Sequence, residues 1–217
     1  TPSAIDPGVG TTPSPVRTTL PAHAGDVPPT GAVLANVALT QSVFAAVLLG
    51  GALAFAIPLS ALGLGPDAVG GWSLAWGVVL GVSLWVASQL GSRLADAAGV
   101  EYDEHLQELL TPDSRGGWVV LLGVVLPVIA VVEELVFRGA AVGAVSLGLD
   151  TSPWAMAVVS SVAFAAGHGA QGRVGIVVTG VLGFVLASAF VLTGSLLTVV
   201  VAHYVVNAME FLAKAVT

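Results

Sequence analysis

The stretch that decides the fold is residues 118–149, WVVLLGVVLPVIAVVEELVFRGAAVGAVSLGL, because it is a long apolar segment that contains one cluster of charge. Apart from Pro127, only the run Glu133-Glu134-Leu135-Val136-Phe137-Arg138 interrupts it. A charged side chain in the middle of a bilayer is costly in free energy and usually has a partner or a function. The cluster therefore marks this segment as both a membrane span and a candidate site.

The composition extends this interpretation to the whole chain. Of the 217 residues, 56% are hydrophobic and 9% are charged, and the mean hydropathy is +0.96. A soluble domain has about a quarter of its residues charged. The apolar runs are 36–58, 72–91, 117–149, 154–172, 174–192 and 195–213. We therefore predict an all-α fold, a polytopic integral membrane helical bundle with about six transmembrane spans of roughly 20 residues each.

The sequence divides into three regions. Residues 1–31 hold seven of the twelve prolines and no aromatic residue, which predicts a disordered N-terminal tail. Residues 32–116 are predicted to form two transmembrane helices and an acidic cytoplasmic loop. Residues 117–217 carry the remaining spans and their polar motifs. His23 and His105 lie in polar stretches of the tail and the loop, and we expect them to be solvated.

The basic residues predict the orientation. If 117–149 crosses once, the chain crosses six times, and an N-terminus in the cytoplasm puts every basic residue outside the spans on the cytoplasmic side. These residues are Arg17, Arg93, Arg115, Arg173 and Lys214. We therefore predict a multi-pass protein of the cell membrane with both termini in the cytoplasm.

The segment 117–149 is too long for a straight span. As one helix it is about 50 Å long, against a hydrocarbon core of about 30 Å. We therefore expect a kink at Pro127, with 117–127 lying shallow or tilted and 128–149 crossing. At 1.5 Å per residue, this arrangement puts Glu133 and His168 at similar depths, about 8 and 7 Å from the cytoplasmic boundary.

Composition also excludes some classes of function. The chain has no cysteine, so disulfides, thiolate metal sites and cysteine nucleophiles are excluded. A net charge of -7 and a single lysine, Lys214, fit poorly with a nucleic acid partner. Scarce lysine and an acidic loop suit a high-salt cytoplasm such as that of a halophilic archaeon, a hypothesis that rests on composition alone.

The spacing within the charged cluster separates its members. Glu134 and Arg138 are four residues apart, share a helix face and are predicted to form a structural ion pair. Glu133 is turned about 100° away and is left without a local partner. The simpler alternative is that both glutamates only lock helices together.

Two further motifs place polar side chains in apolar spans. Phe164 and His168 are one turn apart, so the phenyl ring is expected to wall the imidazole. His203 and Asn207 are also one turn apart and are expected to point together into a cavity. A single membrane histidine is often only hydrogen-bonded to a neighbouring helix. Two histidines, an asparagine and a spare glutamate, Glu133, on three helices favour a catalytic site.

Two chemistries fit these candidates, Glu133, His168, His203 and Asn207. A carboxylate and a histidine can activate water as general bases, while a histidine–asparagine pair donates hydrogen bonds to an oxyanion. Alternatively, Glu133, His168 and His203 hold Zn²⁺ with a water at the fourth position. Both routes hydrolyse a peptide bond. The sequence has no His-Glu-x-x-His element, so a zinc site has to be assembled from different helices.

The three motifs in order, Glu133-Glu134-x-x-x-Arg138, Phe164-x-x-x-His168 and His203-x-x-x-Asn207, resemble the signature of the CPBP intramembrane proteases. This family is also called the Abi or CAAX-protease self-immunity family and includes the type II CAAX prenyl endopeptidases. The resemblance covers residues from about 120 to 213 and implies that 117–217 is a protease core with a cavity open to the cytoplasm.

The resemblance also implies roles for single residues. Glu133 activates water beside His168, and His203 and Asn207 bind the oxyanion, or the histidines ligate zinc. The implied substrate is a membrane-associated protein or peptide, and a prenylated substrate does not follow. Three alternatives remain: a proton-coupled transporter lined by Glu133 and Arg138, a b-type cytochrome with His168 and His203 as axial ligands, and a non-catalytic immunity or scaffold protein.

Overall fold

The structure, a computed structural model, describes residues 30–97, 110–169 and 172–215, and every regular element in these ranges is helical. The elements are α1 (Thr30–Ala54), a 3-10 turn (Pro66–Ala68), α2 (Gly71–Ala97), α3 (Arg115–Gly148), α4 (Pro153–Gly167), α5 (Gly172–Thr193) and α6 (Leu196–Lys214). Five helices are long and apolar enough to cross a membrane, and α4 is a shorter apolar helix. The prediction of an all-α polytopic membrane bundle is confirmed.

Residues 1–29 of the predicted tail and 98–109 of the acidic loop, with His23 and His105, lie outside the described residues, whereas residues 30 and 31 of the predicted tail begin α1. The adjoining helices are longer than their apolar runs. Helix α1 begins at Thr30, and α2 continues to Ala97, beyond the predicted end at 91.

Helices α2 and α6 run parallel, and this bears on how many times the chain crosses. A Cβ at Gly77 would meet Val201, and Gln89 donates a hydrogen bond to Glu210. Residue numbers therefore rise together along the pair. Three helices, α3 to α5, separate α2 from α6 in the chain, and three single crossings return the chain to the same direction. The short α4 therefore fits as a crossing of its own.

Helix α3 is helical on both sides of Pro127, and the kink expected there stays a prediction. The helix does not break there but continues from Arg115 to Gly148. Two π-helical segments, Leu121–Val125 and Leu135–Ala144, alternate with α-helical ones along it. The proline is accommodated because it directly follows the first π segment, at the start of the α-helical segment Leu126–Glu134.

The hydrogen-bond loss at Pro127 is compensated from another helix. In a π-helix a carbonyl accepts from the N–H five residues on, and for Leu122 that residue is Pro127, which has no N–H. The Tyr204 hydroxyl of α6 donates to the Leu122 carbonyl instead, at 3.1 Å. The bond attaches α6 to α3 one residue from His203.

The buried apolar core lies where α3, α5 and α6 meet. Val142, Leu186 and Val199 are fully or almost fully buried in it. Large apolar side chains point outward from the first two helices, such as Leu53 and Trp72, which are 78% and 82% exposed. A bilayer accounts for this exposure, because lipid chains and not water then surround these side chains.

Candidate active site

The site is built around a buried ion pair on α3. Arg138 Nη1 donates to Glu134 Oε1 at 2.8 Å, and both side chains are 0% exposed. Arg138 Nη2 donates to the Gly183 carbonyl of α5 at 2.8 Å. The pair that the four-residue spacing predicts is present in the structure, and it also ties α3 to α5.

Glu134 has a second partner that the sequence did not indicate. His203 Nδ1 of α6 lies 2.7 Å from Glu134 Oε1, the oxygen that also accepts from Arg138. Because this oxygen is an acceptor, Nδ1 carries the hydrogen. Glu134 therefore fixes the orientation of the His203 ring as well as balancing the charge of Arg138. Its role is therefore wider than the structural ion pair with Arg138 that the sequence predicts.

Glu133 occupies the opposite side of the same imidazole. Its Oε2 lies 3.7 Å from His203 Nε2, and its side chain is 20% exposed whereas that of Glu134 is 0% exposed. The carboxylate that the sequence left without a local partner thus faces a histidine from another helix. Of the two glutamates, Glu133 is the one that the protein does not fully enclose.

His168 lies at the carboxyl end of α4, where the helix terminates. Its Nδ1 is 2.8 Å from the Phe164 carbonyl. A carbonyl can only accept, so Nδ1 carries the hydrogen, and in the neutral ring Nε2 keeps the lone pair. The half-buried side chain therefore has the tautomer that a base acting through Nε2 requires.

Phe164 joins the parts of the site. Its ring lies 4.5 Å from the His168 ring and 6.2 Å from the His203 ring, centroid to centroid. Its face also lies 4.8 Å from Arg138 Cζ, within cation–π range. The ring expected beside His168 is present, and it also contacts Arg138.

Asn207 lies one turn beyond His203 on α6 and is partly buried. Within the described part of the chain, no hydrogen bond involves its side-chain amide. Its two N–H donors are therefore available to a bound group.

The second π segment of α3 begins directly after Glu134 and contains Arg138. Ser160 of α4 donates to the Phe137 carbonyl within it, at 2.5 Å. A neighbouring helix thus supplies a hydrogen bond to the widened turn, close to the two glutamates. Such π segments are rare and often occur at functional sites.

A catalytic zinc site needs three protein ligands around one point. Among the described residues, no group of three or more His, Cys, Asp or Glu side chains is placed to hold a metal ion. Glu133, His168 and His203 do not form such a group.

The fold and site define a polytopic helical membrane protein with a Glu–His centre. Residues 115–209 match the family model described as Type II CAAX prenyl endopeptidase Rce1-like. The family recognised from the three motifs is thereby confirmed for this segment, which is consistent with a CPBP family protease. The family indicates a protease, and the multi-pass helices indicate one embedded in the membrane.

The match covers less than half of the chain and leaves α1 and α2 outside it. It includes all the motif residues from Glu133 to Asn207. Neither the curated proteins nor the solved structures gave a match to this chain.

Proposed function

We propose that the protein is an intramembrane endopeptidase that hydrolyses peptide bonds of membrane-associated proteins or peptides with water activated by Glu133 and His168. One observation carries the proposal. Two adjacent glutamates lie in a membrane span. The buried one, Glu134, is bonded to Arg138 and His203, whereas Glu133 is partly exposed and faces His203 Nε2 at 3.7 Å.

In this mechanism Glu133 removes a proton from water, and the resulting hydroxide attacks the scissile carbonyl carbon. The carbonyl π electrons move to oxygen, which becomes an oxyanion. The tetrahedral intermediate then collapses, the C–N bond breaks, and the proton taken from water passes to the leaving amine. His168 Nε2 accepts a hydrogen bond from the water and helps to orient it.

His203 and Asn207 are proposed to stabilise the oxyanion. Asn207 donates through its amide N–H groups. His203 donates through Nε2 only when the ring is doubly protonated, because Nδ1 already holds a hydrogen toward Glu134. The contact of Nδ1 with Glu134 fixes the orientation of the ring that presents Nε2 to the site.

The cavity is proposed to open to the cytoplasm, with both termini on that side, because this orientation places the basic residues outside the spans in the cytoplasm. Zinc assistance stays a prediction. Metal analysis of the purified protein, paired with inhibition by a chelator, separates a zinc route from a metal-free one.

The test replaces Glu133 by glutamine, which keeps the size and removes the base. We expect cleavage to fall at least about a hundredfold, since general base catalysis contributes that much or more. Membrane-fraction proteomics of cells carrying the wild type or Glu133→Gln measures the accumulation of uncleaved precursors.

The matched control is Asp67→Asn, which removes an exposed carboxylate from the 3-10 turn and should leave cleavage unchanged. The thermal unfolding temperature of both variants in detergent should equal that of the wild type. Normal turnover by Glu133→Gln would contradict the proposal, because cleavage would then not depend on the assigned base.

A further inference from the structure

A third carboxylate in the bundle belongs to none of the motifs. Glu210 lies on α6, just after the family match ends. Its Oε1 accepts from Ser88 Oγ and its Oε2 accepts from Gln89 Nε2 at 2.9 Å, and both donors belong to α2. Ser88 Oγ also lies 2.9 Å from the Trp85 carbonyl, but a charged oxygen is the stronger acceptor. We call the contact of Glu210 with Ser88 and Gln89 the polar bridge.

The polar bridge lies on the catalytic face of α6. His203, Asn207 and Glu210 are spaced by four and three residues, so their side chains leave the helix in nearly the same direction. At 1.5 Å per residue, Glu210 is about 10 Å along the axis from His203. It is too far away to touch a substrate carbonyl held there, and it acts on the helix that carries both proposed oxyanion donors.

The opposite face of α6 is fixed by shape. A Cβ at Gly81 of α2 would lie 2.7 Å from the Ala202 carbonyl and from Val205 Cβ, so the two helices are in close backbone contact there. Val205 is two residues from His203 and therefore on the far side of the helix. Near Gly81, helix α2 thus contacts the face of α6 opposite His203. Two turns later it contacts, through the polar bridge, the face that carries His203.

These two contacts have different consequences. The glycine contact sets the distance between α2 and α6. It does not by itself stop α6 from rotating about its own axis, because small and β-branched side chains surround it. The polar bridge holds the long side chain of Glu210 on the other face and opposes that rotation. The rotation angle decides where His203 and Asn207 point.

Stability alone does not explain why a carboxylate occupies position 210. Interhelical hydrogen bonds in membranes contribute little on average, and placing a carboxylate in an apolar span is costly. A leucine at this position would pack against α2 without that cost. The polar bridge is therefore better explained by a requirement on geometry.

We propose that Glu210 is a positioning residue, which through Ser88 and Gln89 holds α6 in the rotation that aims His203 and Asn207 at the oxyanion. The proposal rests on the proposed function for its kinetic consequence. It also assigns α2, which lies outside the family match, to the working unit of the protease.

The kinetic test compares Glu210→Leu with Glu210→Gln in the full-length protein, with a peptide substrate in proteoliposomes. We expect Glu210→Leu to lower kcat about tenfold or more with KM within about twofold, since misplaced oxyanion donors affect the transition state and not substrate binding. Glu210→Gln keeps acceptor and donor groups in reach of Ser88 and Gln89 and should restore most of kcat. The double variant Ser88→Ala/Gln89→Leu should match Glu210→Leu.

The control is Ser83→Ala, which removes an exposed hydroxyl of α2 that bonds only within its own helix. It should leave kcat unchanged. A Glu210→Leu variant with a lower unfolding temperature and an unchanged kcat would overturn the proposal, because that is a purely structural role. Equal loss in Glu210→Gln would overturn it too, because charge and not hydrogen bonding would then matter.

A second readout does not depend on activity. The chain has no cysteine, so spin labels at Leu90→Cys and Leu212→Cys, both exposed, report the α2–α6 distance without background. We expect one narrow distance distribution in the parent and in Glu210→Gln, and a shifted or broader one in Glu210→Leu. Identical distributions in all three would overturn the proposal. If the parent cleaves nothing, the proposed function fails while the label distances still decide whether the polar bridge holds α6.

Discussion

The two faces of α6 are held by different physics. The face toward α3 is held by charge and hydrogen bonds, through His203 with Glu134 and Tyr204 with Leu122. The face toward α2 combines close backbone packing at Gly77 and Gly81 with hydrogen bonds at either end, from Thr198 to Ser73 and from Gln89 to Glu210. The chemistry lies on the first face, inside the family match, and the support lies on the second, outside it.

This difference predicts how each face responds to substitution. A buried charge that loses its partner cannot be solvated in a membrane, so a change on the α3 face costs the desolvation of the group left behind. A side chain added on the α2 face costs only the displacement of neighbours that it touches. Three substitutions test this order, from the largest effect to the smallest.

The largest effect is expected for Arg138→Leu. It leaves the Glu134 carboxylate, at 0% exposure, without its cationic partner, which costs about 3–5 kcal/mol of folding stability. Unfolding in mixed micelles measures the loss. The control Arg93→Leu removes an exposed arginine and should cost far less.

The double variant Glu134→Gln/Arg138→Leu tests the cause. It removes both charges and should regain part of the stability that Arg138→Leu loses. If the double variant is less stable than Arg138→Leu, the unpaired carboxylate is not the source of the loss.

An intermediate effect is expected for Gly81→Ala. The new Cβ would lie 2.7 Å from Val205 Cβ and from the Ala202 carbonyl, so α2 and α6 have to move apart, at a cost of about 1–3 kcal/mol. The matched control is Gly91→Ala on the same helix, where a Cβ meets nothing within 4 Å. Equal unfolding free energies for the two alanine variants would show that close packing does not hold this face.

The smallest effect is expected for Ser160→Ala, which removes the bond from α4 to the Phe137 carbonyl. A single neutral interhelical bond in a membrane contributes about 0.6 kcal/mol. Ser188→Ala, which removes an exposed hydroxyl bonded within its own helix, serves as the control. A loss as large as that of Arg138→Leu would mean that the widened turn depends on Ser160, and the ranking of charge above single hydrogen bonds would be wrong.

The sequence was most informative where the relevant contacts are local. The four-residue spacing predicts the bond of Glu134 to Arg138 and the contact of Phe164 with His168, because both follow from helix geometry alone. Apolar run lengths predict the helical bundle, although α4 is shorter than its run.

The sequence was silent where contacts join distant segments. Glu134 and His203 are 69 residues apart, and Gln89 and Glu210 are 121 apart, so no local spacing indicates either pair. One signal for the polar bridge does exist in the sequence, since Glu210 is a carboxylate inside an apolar run. The two π segments are not predicted, because the spacing arguments use a helical period of 3.6 residues.

Each of those π segments shifts the helical periodicity of α3. Each one inserts extra chain into the helical repeat, so the side chains that follow it are rotated relative to those before it. A helical wheel drawn continuously from Arg115 to Gly148 therefore assigns side chains to the wrong faces after each π segment. Counting has to restart at Leu126 and again at Val145. The face that a side chain of α3 presents is therefore set by the π turns that precede it as well as by its residue number.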